Sequence, residues 1–197
     1  MFASSKTVSG IARASFIGAR IALPVSARMV NHSLLRSKTS YSKELTGPMA
    51  KPMKGTARAT AESFDDYYTE VKTGSGYNVV VDHLPESKGG KGPSPLEYAL
   101  TSLAGCKTSA FKTLAKEAGF KIDNIQYKMS ANFDPRGYNG GMTYAGFTHI
   151  KLDAKIKTSL TGEELKEAAE EVAHRCIIAA TFEKAGVEMD VTWTKVE

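Results

Sequence analysis

Two side chains in this 197-residue sequence bear on chemistry before any other, the thiols of Cys106 and Cys176, 70 positions apart. A thiol acts as nucleophile or metal ligand only as the thiolate, so a reactive cysteine needs a cation or a helix N-terminus beside it. Two cysteines do not make a disulfide framework, and each needs its own account. The plainest account is packing, since free cysteine behaves as a small hydrophobe and is among the most often buried residues. The reactive account has a definite requirement at Cys106. That residue lies about three turns into a helix, and the helix dipole fades within the first turn. Activation there must come from a tertiary neighbour, either an arginine or a helix end from elsewhere in the fold.

Other chemistries fit less well. Cys106, His174 and Cys176 could be grouped as metal ligands, but positions 174 and 176 point to different helix faces and a fourth ligand is missing. A Cys-His hydrolase would need a singled-out histidine, and no local motif marks His83, His149 or His174. The glycine-rich stretch from Ser87 to Gly92 has neither the GxxxxGK[ST] nor the GxGxxG order of a phosphate cradle, and reads as a flexible loop within residues 85–93.

The elements that must position the thiols are legible from punctuation and periodicity. Ser94, Pro95 and Glu97 form a capping box with proline at the first helical position, and Gly119 closes the helix. Between them Leu96, Ala99, Leu100, Leu103, Ala104, Cys106, Ala110, Phe111, Leu114, Ala115 and Ala118 predict a helix of about 36 Å, buried on most sides. Ala104 and Gly105 are small, so Cys106 is expected at a crowded junction. Three short strands precede this helix, at 56–63, 67–72 and 77–83, with a Gly74-Ser75-Gly76 hairpin turn between the last two. Period-two patterns at Ile125–Phe133 and Ile150–Ile156 predict two antiparallel strands joined by a loop at 134–141. Thr161 and Glu164 make a second capping box. It opens a helix with apolar positions Leu165, Ala169, Val172, Cys176 and Ala180, closed by Gly186. Val187, Met189, Val191 and Trp193 form a last strand. The order is βββ-α-ββ-α-β, an α+β fold.

The formal charge of +5 suggests nucleic acid or an anionic membrane until its distribution is considered. Seven of the 26 basic residues precede Glu44, in a stretch with no acid, and the remaining 19 face 21 acidic residues. The basic character therefore belongs to a leader and does not make the folded part a nucleic-acid binder. No run approaches the roughly 18 apolar residues of a membrane span. The leader is arginine- and serine-rich, and Arg13 and Arg20 fall on one helical face and interrupt any secretory core. These are the marks of a mitochondrial transit peptide. The expected organisation is a transit peptide at 1–43, a Pro/Gly-rich linker at 44–55 and one domain at 56–197. Cleavage is expected between Arg36 and Thr46, and the mature protein in the mitochondrial matrix.

Two stretches carry a family resemblance. GPSPLEYALTSLAGC, Gly92 to Cys106, resembles the approach to the central helix of the OsmC/Ohr superfamily, and AHRCIIAATFEKAGVEMDV, Ala173 to Val191, resembles its second cysteine motif. The likeness extends over residues 56–197. It implies antiparallel sheets packed around two long helices in an intertwined homodimer, with sites at the subunit interface. It also implies thiol-dependent reduction of organic hydroperoxides without a metal or other cofactor. Cys106 would be the attacking thiol and Cys176 the resolving one, with an external dithiol as electron donor. The resemblance points to a glutamate at the helix start and an arginine in the early strands as partners of the thiol. Glu97 and Arg58 are the candidates, although Glu97 stands one position later than the pattern and Arg58 earlier. Ile177 follows the second cysteine where the family usually has proline. The competing reading is a non-catalytic dimer of the same fold that binds a small apolar ligand and keeps both cysteines as packing.

Overall fold

The structure, a computed structural model, describes residues 54–64, 67–83 and 88–197. The leader and most of the linker lie outside the described residues. The first sheet is an antiparallel meander of β1 (Ala59–Ser63), β2 (Thr69–Thr73) and β3 (Asn78–Val81), in that order. Valines meet across it, Val71 opposite Val79. The turn before β3 follows the expected glycines. Gly76 adopts a φ of 93°, and the Thr73 N–H reaches the Tyr77 carbonyl at 2.9 Å.

The sheet is tied directly to the start of helix α1 (Pro95–Ala118). The Tyr98 hydroxyl donates to the Val80 carbonyl at 2.9 Å, and the Asp82 N–H donates to the Pro93 carbonyl at 3.1 Å. Asp82 is buried, and one of its carboxylate oxygens accepts the Lys91 N–H at 2.9 Å. Gly92 passes so close to β3 that a Cβ there would stand 2.6 Å from the Val80 oxygen. Both ends of α1 are as the sequence predicts. Ser94 and Glu97 cap each other reciprocally, and Gly119 takes a φ of 78° while its N–H bonds the Ala115 carbonyl.

The second sheet is built from β4 (Ile122–Phe133), β5 (Phe147–Thr158) and β6 (Glu188–Val196), with β5 in the centre. A single helical turn, α2 (Pro135–Tyr138), sits in the β4–β5 connection. Ile125 pairs with Ile156 and Met129 with Leu152 across the antiparallel β4–β5 ladder. Strand β6 runs parallel to β5, with Ala154 opposite Trp193, so the expected all-antiparallel arrangement holds for the first sheet only. The reason is connectivity: a helical crossover returns the chain to the same end of the sheet, which makes the next strand parallel.

That crossover is the second departure. A single helix is expected from Thr161 to Gly186, but the structure has two, α3 (Gly162–Arg175) and α4 (Ile177–Lys184). Cys176 stands between them with extended φ and ψ of −83° and 102°. Its N–H still closes α3 on the Val172 carbonyl, and its sulfur starts α4 by accepting the Ala179 N–H at 3.4 Å. A thiol here does the work that a serine hydroxyl usually does at an N-cap.

A third expectation needs correction at the level of one chain. Helix α1 buries one face, through Leu103, Lys107, Ala110, Phe111, Leu114 and Ala115, and Leu96 stays exposed. The fully buried side of β5 (Ile150, Leu152, Ala154 and Ile156) receives that face. One core cluster joins Leu103 to Leu152, Cys176 and Ala179. Another joins Phe111 and Leu114 to Leu165, Ala168 and Val172. Trp193 packs against both, its ring 4.7 Å from that of Phe111 and 5.9 Å from that of Tyr127.

Candidate active site

The two thiols, 70 residues apart in sequence, come together where α1 crosses the α3–α4 break. Both are free, Cys106 partly exposed and Cys176 fully buried. Cys106 packs against the core cluster that contains Cys176, which puts both thiols at one junction of the core. Burial pushes the Cys176 thiol up; the Ala179 N–H opposes this, interaction with Cys106 adds to it, and the charge of Lys107 opposes it. The buried partner is thus held as a neutral thiol beside a more accessible one.

Lys107 is the residue that sequence reasoning missed. It follows Cys106 directly, yet its side chain is only 2% exposed. Burial lowers its pKa, and the neighbouring Cys176, Glu183 and Cys106 oppose that shift in descending order. A basic side chain is therefore buried directly after Cys106, and it is a lysine from α1 itself. The available signal was a lysine set in the apolar run of a helix, three positions before Ala110 and four before Phe111. On the strand side the Tyr127 hydroxyl bonds the Thr108 hydroxyl at 3.0 Å. Tyr127 is pushed up chiefly by burial, and the charge of Cys176 adds to this.

The other candidates are placed elsewhere in the chain. Glu97 is occupied at the helix start, where its Oε2 accepts both the N–H and the hydroxyl of Ser94 at 2.7 Å. These two bonds hold its carboxyl below the usual range. Nine residues separate it from Cys106, which is two and a half helical turns. The two side chains therefore leave opposite faces about 13 Å apart along the axis. Arg58 stands just before β1, where its carbonyl accepts the Gly74 N–H at 2.7 Å. Its guanidinium makes no hydrogen bond or ion pair with another described residue. Glu97 is thus committed to the helix cap and not to Cys106 of its own helix. Among the described residues no three His, Cys, Asp or Glu side chains gather as a metal-binding set. Nor, among those residues, is any helix long and apolar enough to cross a membrane.

The break at Cys176 is itself braced. Arg175, the last residue of α3, reaches Glu117 on α1 at 2.6 Å through Nη1 and Glu171 at 2.7 Å through Nε. Burial works against the guanidinium charge, and the two carboxylates more than restore it.

A model of the OsmC-like protein family matches residues 88–192, a span that contains α1, both cysteines and the broken crossover. The chain belongs to the OsmC-like family. Solved structures share its fold. The OsmC-like protein of Mycoplasma pneumoniae superposes with a TM-score of 0.66 at 22% identity, over 74% of this chain and 100% of that one. An organic hydroperoxide resistance protein of Elizabethkingia anophelis gives 0.55 at 22% identity, over 74% and 100%. The organic hydroperoxide resistance protein OhrB of Bacillus subtilis gives 0.53 at 20% identity, over 71% and 98%. No curated protein matches the chain. Within this OsmC-like frame, two free thiols of unequal exposure meet at one core cluster, and thiols that reach bonding distance pass reversibly between dithiol and disulfide.

Proposed function

We propose that this OsmC-like protein is a thiol peroxidase for organic and lipid hydroperoxides, acting in defence against oxidative stress. The observation that carries the reading is the packing of a partly exposed Cys106 against the core cluster that holds a buried Cys176, both free thiols. The accessible sulfur meets the peroxide. As a thiolate it attacks the outer peroxide oxygen, the O–O bond breaks, and the alcohol leaves with a proton while Cys106 becomes a sulfenic acid. The Cys176 sulfur then displaces that oxygen as water and forms the disulfide. An external dithiol exchanges with the disulfide and returns both thiols.

Large hydrophobic side chains left exposed on the helices, Leu96 on α1 and Ile177 on α4, support an obligate homodimer with sites at the subunit interface. In such a dimer Glu97 and Arg58 would serve from the partner protomer, Glu97 lying two and a half turns from Cys106 along its own helix. The acid-free leader supports import into the mitochondrial matrix.

The test uses the Cys176→Ser protein with one equivalent of cumene hydroperoxide. One added oxygen on Cys106, or its dimedone adduct, is expected by mass spectrometry, with the methionines unmodified over the same interval. An unmodified Cys106 in a correctly folded protein overturns the peroxidase and leaves the apolar-ligand binder.

A further inference from the structure

The peroxide chemistry gives no task to Lys107, although the fold buries that side chain to 2% exposure. Its amine makes no hydrogen bond or ion pair with another described residue. An ammonium buried in that state is costly unless a partner reaches it.

Lys107 enters a cavity of about 600 Å³ between α3 and β6, a volume in the range of small-molecule sites. Gly162, Leu165, Ala169 and Ala173 recur at helical spacing and form the α3 wall, about 16 Å from first to last. Gly162, Ala169 and Ala173 are small, which leaves the space open. Met189, Val191 and Trp193 alternate along β6 and form the opposite wall. Neither cysteine is among the described residues that line this cavity, so it is a separate place from the thiols.

The charges of the lining favour one anionic group at depth. Lys166, Glu183 and Lys195 are exposed and Glu170 is half-buried, so water reaches all four. Lys195 is also committed to the Leu160 carbonyl at 2.7 Å. Without it, Lys107 and Lys166 stand against Glu170 and Glu183, and a polyanion finds no net positive field. Lys107 alone is shielded from water, where a charge acts most strongly. Burial works against its ammonium, and a carboxylate brought beside it would offset that cost. A lysine presents a point charge, without the planar fork that an arginine offers to phosphate. The lining therefore suits a monoanion with enough apolar surface to lie along Val191 and Trp193.

We propose that this cavity binds a small monocarboxylate with an apolar body, of the medium-chain fatty acid class, held by its head at Lys107. The inference goes beyond the peroxidase reading and does not rest on it.

The test follows Trp193, the single tryptophan of the sequence, which lines the cavity. The full chain is titrated with decanoate and with decanol, and no peroxide is present. Decanoate should shift the Trp193 emission saturably, and decanol should bind at least about tenfold more weakly because it lacks the charge-assisted bond. Lys107→Met keeps most of the side-chain bulk without the charge. It should weaken decanoate about tenfold or more and bring it level with decanol. Ala169→Phe fills the cavity from α3 and should abolish both responses. Circular dichroism checks the fold of each variant, and the decanol comparison on the unsubstituted protein decides the role of the charge if Lys107→Met does not fold. No saturable response to decanoate in the folded protein overturns the site, as when a second protomer fills the cavity. Decanol binding as tightly as decanoate overturns the role of the ammonium. An unchanged decanoate affinity in folded Ala169→Phe places the ligand elsewhere and overturns the cavity. A protein that never oxidises Cys106 loses the peroxidase reading, and the titration still decides this site.

Discussion

Helix α1 and the α3–α4 segment are the two helical passages that carry a cysteine into the same core, and they treat it in opposite ways. In α1 the chain stays helical for 24 residues, so Cys106 lies in continuous helix and its backbone groups are committed to the helical ladder. In the second passage the helix stops at the cysteine and restarts, so the sulfur of Cys176 becomes part of the backbone hydrogen-bonding. One residue type thus has two electrical settings. Cys106 takes its surroundings from side chains that pack on it, and Cys176 also takes them from its own backbone. Partial exposure goes with the first and complete burial with the second. An attacking thiol must meet substrate, whereas a resolving thiol need meet only its neighbour.

The largest effect should come from breaking the face on which the unbroken helix rests. Phe111 is fully buried and packs against Trp193 with the two rings tilted and 4.7 Å apart. Phe111→Ala should destabilise the protein by about 3–5 kcal/mol in urea unfolding, through lost burial and the cavity left behind. A loss below about 1 kcal/mol would mean that α1 draws its order mainly from its caps.

Much of this comparison was legible in the sequence, and the rest was hidden for definite reasons. Ser94, Glu97 and Gly119 fixed the ends of α1 because capping is local chemistry. The alternation at Ile150, Leu152, Ala154 and Ile156 marked the central strand because its inner face is wholly buried. The break at Cys176 left no trace, since neither glycine nor proline stands there and a thiol is an unusual cap. Lys107 reads as one cation in an apolar helix until α4 and β6 close over it. The direction of β6 depends on where a crossover lands, which periodicity does not encode. Glu97 and Arg58 came from resemblance to a pattern that each misses by position, and Glu97 is engaged by Ser94 at the start of α1.

The next effect tests what holds the break in register. Arg175 and Glu117 pair at 2.6 Å with less than a fifth of either side chain exposed. Glu117→Gln should cost about 1–2 kcal/mol, less than a fully buried pair because solvent still screens it. It should also slow Cys106–Cys176 disulfide formation, measured by mass spectrometry after one equivalent of peroxide. Lost stability with an unchanged rate would show that Glu117 braces the fold and not the thiol geometry.

Ser94→Ala acts at the far end of α1 and should cost about 1 kcal/mol as the loss of an N-cap. Its pH dependence has a definite sign. The Ser94 N–H and hydroxyl depress the Glu97 carboxyl in the folded state. The stability this contributes is present above the ordinary glutamate pKa and is lost as pH falls through the depressed value. Wild type and Ser94→Ala should therefore differ most near neutrality and converge in acid. A gap that widens on acidification would contradict the capping role of Glu97.

The smallest effect is the sharpest test, because the two cysteines should rank the same pair of substitutions in opposite order. At position 176 a serine oxygen can accept the Ala179 N–H in place of sulfur, whereas alanine leaves that N–H without a partner at the buried start of α4. Cys176→Ser should then be more stable than Cys176→Ala by about 1 kcal/mol. At position 106, inside a continuous helix, no N–H waits for a cap. Alanine there is the better helix former, by roughly 0.5 kcal/mol over serine, and it places no hydroxyl among the packed side chains. Cys106→Ala should therefore be the more stable of its pair. Urea unfolding of the four single variants measures both differences against one wild type. The argument needs only their signs, so errors common to both sites cancel. The same order at both positions would mean that the break at Cys176 does not engage its side chain, and the contrast between the two thiols would then reduce to burial alone.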